Sequence, residues 1–165
     1  MAASAATSDS NDVVEYGHSF ALGVVAGLRS MLPLAALSVS VQGVDRDEQP
    51  VRFLASAPAL VVTGLLAGGE LIGDKLPFVP SRTDAPLIGG RVATGALAGG
   101  ARAQVANVSP VVGALVGAAG GWIGSWVGYT LRRGLTQATG APDFLFAVAE
   151  DAAAITLSRW AVHRP

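Results

Sequence analysis

The chain of 165 residues contains no cysteine, and Lys75 is the one lysine among its eleven basic residues. Without cysteine there are no disulfides, thiolate nucleophiles or cysteine metal sites, and the redox compartment stays open. Charge is scarce: 14% of residues are ionised, against about 25% in an ordinary soluble domain. The net charge of −1 gives no strong pull toward nucleic acid. The two histidines, His18 and His163, lie far apart in sequence. No serine has a nearby histidine partner, and no phosphate-binding loop is present, so no catalytic signature emerges and no cofactor is implied. The first twelve residues are small and polar, with Asp9 and Asp12 but no basic residue. A secretory signal needs a positive start and transit peptides are poor in acids. The expectation is therefore a disordered polar tail over 1–12 and a single transmembrane helical domain over 13–165, whose first apolar segment is its own insertion signal.

What is abundant is apolar and small. Half of the chain is hydrophobic (51%), the mean hydropathy is +0.49, and 21 residues are glycine. The apolar residues come in long runs, which points to lipid as the solvent. About 20 apolar residues span a bilayer. The first predicted helix covers 13–40, interrupted by Arg29 and Pro33, and a polar loop follows over 42–49. The second covers 51–76, with Pro58 either kinking it or sitting in its first turn, and Pro77 and Pro80 stop it. The third, 87–103, is about 26 Å long at 1.5 Å per residue. It either crosses a thin bilayer or is a re-entrant segment covered by other protein. The fourth covers 110–133, with Ser109 as cap and Pro110 at its first position. The fifth covers 143–162. The expected fold is all-α: an integral membrane bundle of four or five glycine-rich helices. Basic residues divide almost evenly between the two sides of such a bundle, so the positive-inside rule gives no orientation. The arginine bias fits a GC-rich bacterial genome, and hence a bacterial cytoplasmic membrane.

Glycine recurs at four-residue spacing: Gly23 and Gly27; Gly64 and Gly68; Gly69 and Gly73; Gly95 and Gly99. The fourth helix carries two interleaved ladders, Gly113, Gly117, Gly121 and Gly120, Gly124, Gly128. In lipid, small residues let helix backbones approach and make dispersion contacts. A helix with two glycine faces can pack on two neighbours, which places the fourth helix at the centre. Trp122, Trp126 and Tyr129 fall near one of its faces and read as an interfacial belt or packing filler.

A charge at a helix centre costs about 3 kcal/mol on insertion scales, so intramembrane charges tend to face the bundle interior and pair. The candidates are Arg29, Glu70, Asp74, Arg91, Glu150 and Asp151. Pro33 removes the hydrogen bond to the Arg29 carbonyl and would bend the first helix there. Glu70 and Asp74 share a face at i, i+4. Glu150 and Asp151 point about 100° apart, so one of them is expected to join the others. Arg29 is expected to pair with Glu70, Glu150 or both.

The segments Gly27-Leu28-Arg29-Ser30, Gly73-Asp74-Lys75-Leu76-Pro77 and Ala149-Glu150-Asp151 occur in this order along the chain. On these motifs the sequence resembles the bacterial membrane family catalogued as domain of unknown function 4126, from the first helix to the C-terminus. The resemblance implies a small multi-helix membrane protein whose arginine and acidic motifs belong to the family pattern; it implies no substrate. The expected function is transport or permeation of a small ion or solute through the intramembrane Arg/Glu residues, in a homo-oligomer. The alternative is a non-catalytic membrane scaffold or accessory subunit whose buried charges are structural. The lipid bilayer is the expected partner; nucleic acid is not.

Overall fold

A computed structural model describes residues 2–44, 47–73 and 85–163. Among them are seven α-helices and no strand: α1 Ala2–Leu28, α2 Leu32–Ser40, α3 Val51–Leu54, α4 Ala57–Gly73, α5 Ala85–Val105, α6 Pro110–Thr139 and α7 Asp143–Val162. α6 alone among the described residues is long and apolar enough to cross a membrane; α4 is apolar but shorter.

The last two helices follow their local signals. Ser109 accepts a hydrogen bond from the Val112 N–H at 3.5 Å at the start of α6. Gly140, in the left-handed region at φ 66°, ends the same helix and returns its N–H to the Thr136 carbonyl. That conformation favours glycine, which lacks a Cβ. α6 therefore passes Arg133, the end expected from sequence, by a turn and a half. At the other end of the chain α1 begins at Ala2, inside the segment expected to be a disordered tail. The alanines of that segment are strong helix formers.

The first half departs further from expectation. The predicted helix over 13–40 is two helices, and the chain turns back on itself between them at Arg29-Ser30-Met31. Leu37 of α2 and Val41 just past its end belong to one buried cluster with Leu22 of α1, Ala98 and Ala101 of α5 and Ala161 of α7. Ser40 shares a cleft with Arg159 and His163. α2 thus runs back toward the level where α1 began. Pro33 does not bend a continuous helix. It occupies the first turn of α2, where its missing N–H has no partner to lose. The predicted helix over 51–76 is likewise α3 and α4, with Pro58 in the first turn of α4; residues 74–76 lie outside the described residues.

α1, α5 and α6 form the central layer. A Cβ built on Gly117 would lie 2.2 Å from the Gly95 carbonyl oxygen, and one on Gly99 would lie 2.3 Å from that of Gly113. On the other face a Cβ on Gly124 would meet the Val24 carbonyl oxygen at 2.3 Å, and one on Gly120 that of Phe20 at 2.5 Å. Gly113, Gly117 and Gly121 face α5; Gly120, Gly124 and Gly128 face α1. The two ladders read from sequence are two seams along α6, closed mostly by backbone against backbone. α7 packs on α1 and α2, and α4 lies against α2 at the edge.

Candidate functional site at the chain reversal

The reversal at 29–31 leaves two helix ends facing the same small region: the C-terminal carbonyls of α1 and the N-terminal amides of α2. Each end carries orphan backbone groups and half of a helix dipole. Side chains from three other helices meet them. Arg91 of α5 donates from Nη1 to the Gly27 carbonyl and lies 3.4 Å from that of Leu28. Glu70 of α4 accepts from the Ser30 N–H at 2.7 Å and from the Met31 N–H at 2.9 Å. A cation thus sits on the negative end of α1 and an anion on the positive end of α2, the favourable sense in both cases.

Arg29 lies at the reversal itself and is fully buried, with 0% of its surface exposed. Its Nε donates to Asp151 Oδ1 of α7 at 2.6 Å, and its Nη2 lies 2.5 Å from the same oxygen. Asp151 is also buried. This corrects the expected pairing with Glu70 or Glu150. Glu70 spends its carboxylate on backbone amides, and the carboxylate delivered to Arg29 is that of Asp151. Glu150 turns instead toward α6, where Arg132 Nη1 lies 3.9 Å from its Oε2. Arg132 also holds Asp143 at the start of α7 through its Nε at 2.6 Å. Glu150 and Arg132 line a mostly apolar cleft of about 260 Å³ with Leu28, Leu131 and Phe146. Asp74, the remaining candidate, lies outside the described residues.

The structure therefore brings Arg29, Glu70, Arg91 and Asp151 to one place and sets Glu150 beside it. Among the described residues, two buried arginines and two carboxylates meet two helix ends here. Chemically the site can exchange one anionic oxygen for another at the Ser30 and Met31 amides, or shift a proton on a carboxylate.

A second polar cluster escaped the sequence reading. Arg102, buried near the end of α5, lies 2.6 Å from Glu15 Oε2 through Nη2 and 3.1 Å from His18 Nδ1 through the same nitrogen. Its Nε donates to the Ala161 carbonyl of the last turn of α7 at 2.9 Å. Arg91 and Arg102 are eleven residues apart, which on an α-helix returns to within about 20° of one face. Each reaches carbonyls at the C-terminal end of a different helix. The spacing was readable; the identity of those helix ends was not.

The model of the family described as Domain of unknown function (DUF4126) matches residues 17–165. No curated protein and no solved structure matches the chain.

Proposed function

The chain belongs to that family of unknown function, and we propose that this member is an integral membrane protein of the bacterial cytoplasmic membrane that moves a small ion or solute through the α1–α2 reversal. One observation carries the functional reading: a helix-to-helix reversal beside the buried Arg29, with Glu70, Arg91 and Asp151 gathered around the two helix ends. Helix ends that stop within a membrane bundle give some transporters their binding sites, because the positive N-terminal end of such a helix attracts anionic groups. Here the Glu70 carboxylate occupies that end. A small anion, or protonation of Glu70, would release it.

The membrane setting is supported by an inversion of interior and surface. The largest fully buried side chain is Arg29, and most other buried positions are glycine, alanine or serine. Leu65 (72%), Ile72 (70%), Val111 (69%) and Leu115 (67%) are the exposed ones, with Trp122 and Trp126 also outside. Water would penalise that surface by about 25 cal/mol per Å² of apolar area; hydrocarbon would not. A homo-oligomer is part of the reading, since Gly64, Gly68, Gly69 and Gly73 of α4 meet nothing within 4 Å among the described residues.

The test is flux. Purified protein in liposomes should speed the equilibration of small anions or protons over protein-free vesicles, and Glu70→Gln should alter the rate. A second reading, a membrane scaffold or accessory subunit, is favoured by a specific fact: Arg29, Glu70 and Arg91 are each engaged by groups of the chain itself. Vesicles that hold folded native protein yet carry anions, cations and protons no faster than bare lipid would leave that second reading standing.

A further inference from the structure

Both histidines of the chain line one cleft of about 520 Å³, together with Asp12, Glu15 and Trp160. It lies where α5 and α7 finish against α1, eleven residues along α1 from Arg29, or about 16 Å. His18 Nδ1 is 3.1 Å from Arg102 Nη2 and 3.3 Å from Glu15 Oε2. One neighbour is a pure donor and the other, when ionised, a pure acceptor. A bare Nδ1 can bond only to Arg102; a protonated Nδ1 can bond only to Glu15. The nitrogen stands within reach of both.

We propose that this cleft is a proton-sensing site in which His18 changes partners: the neutral imidazole accepts from Arg102, and the imidazolium donates to Glu15. Histidine is the side chain whose charge ordinarily changes between about pH 5 and 8. The surroundings suit a proton. α1 contributes Asp12 and Glu15, α5 contributes Arg102, α7 contributes the Trp160 indole, and His163 follows at its C-terminal cap. The turn after α5 contributes only Ala106 and Val108, and no ionisable group of α6 is among the lining residues. Among the described residues two carboxylates face one guanidinium, so a single added positive charge brings these groups to balance. Arg102 is fixed from behind by the Ala161 carbonyl, and the Ser19 hydroxyl ties α1 to the Gly99 carbonyl of α5 at 3.1 Å beside it. The swap therefore takes place against a rigid wall.

The His18 and Trp160 rings meet edge-on with centroids 4.6 Å apart, which supplies a reporter, because a protonated imidazole quenches a neighbouring indole. The experiment follows Trp160 emission from pH 8 to pH 5 in detergent-purified full-length protein carrying Trp122→Phe and Trp126→Phe. Acid should quench Trp160 in a single step. His18→Gln, whose amide can still accept from Arg102, should lose the quench, and His163→Gln should keep it. Nitrogen-15 shifts of the imidazole in unsubstituted protein, which need no folded variant, should show a bare Nδ1 at pH 8 and both nitrogens protonated at pH 5. An undiminished quench in His18→Gln, a proton on Nδ1 at pH 8, or a His18 that does not titrate in this range would each overturn the proposal. None of these readouts involves flux, so they stand or fall apart from the transport reading.

Discussion

α4 and α6 carry the same sequence device and use it oppositely. Both present pairs of glycines four residues apart. On α6 a Cβ at any ladder position would strike a neighbour, most often its backbone; on α4 a Cβ at Gly64, Gly68, Gly69 or Gly73 meets nothing within 4 Å among the described residues. Spacing tells that a helix can be approached closely. Whether it is approached depends on which helices flank it. α6 lies between α1 and α5, while α4 has α2 and α3 as its main neighbours.

The sharpest test of this contrast is the same substitution on each helix. Gly117→Leu should prevent folding, a loss above about 4–5 kcal/mol, because the Gly95 carbonyl oxygen occupies the space the side chain needs. Gly64→Leu should leave the protomer's melting in detergent close to native. Equal thermal stability of the two variants would dissolve the contrast.

Charges on the two sides of the bundle should differ in the same direction. Asp151→Ala strands the buried guanidinium of Arg29 and should cost about 3–5 kcal/mol. Combining it with Arg29→Ala should cost clearly less than the sum of the single changes. Glu70→Ala on the half-buried α4 face removes two charge-assisted bonds to backbone amides and should cost about 1–3 kcal/mol. Chemical unfolding of the single and double variants measures both, and additive losses for Arg29 and Asp151 would disprove their coupling.

Within α6 itself the seams are unequal. A Cβ on Gly128 would meet only the Leu28 Cδ2 atom closely, and a side-chain end can swing aside. Gly128→Ala should therefore cost no more than about 1 kcal/mol, because removing a helical glycine recovers up to that amount. A melting point as low as that of Gly117→Ala would show that the seam is equally tight at this end. The smallest effect belongs to Leu115→Ala, on the outer face; its melting point should stay within the scatter of replicate native samples.

The helical class, the limits of the last helix and the two faces of α6 were legible in the sequence, because glycine spacing and proline punctuation are local signals. The reversal at 29–31 was not. A proline four residues after Arg29 can kink a helix or open a new one, and only the packing of Leu37 and Val41 beside Leu22 separates the two. The partner of Arg29 was missed by one residue for a related reason: Glu150 and Asp151 point about 100° apart, and α7 offers alanine on both faces. The Glu15, His18 and Arg102 cluster required knowing that α5 and α7 finish beside the middle of α1.

The seams of α6 also limit how this protein can move. Where backbone rests on backbone there are no side chains to change rotamer, so α1, α5 and α6 cannot roll over one another by small repacking steps. Packed interiors pass between discrete arrangements and do not deform continuously. A displacement of α2, α4 or α7 against this three-helix keel would have to undo two clasps, Arg29–Asp151 and Glu70 on the Ser30 and Met31 amides.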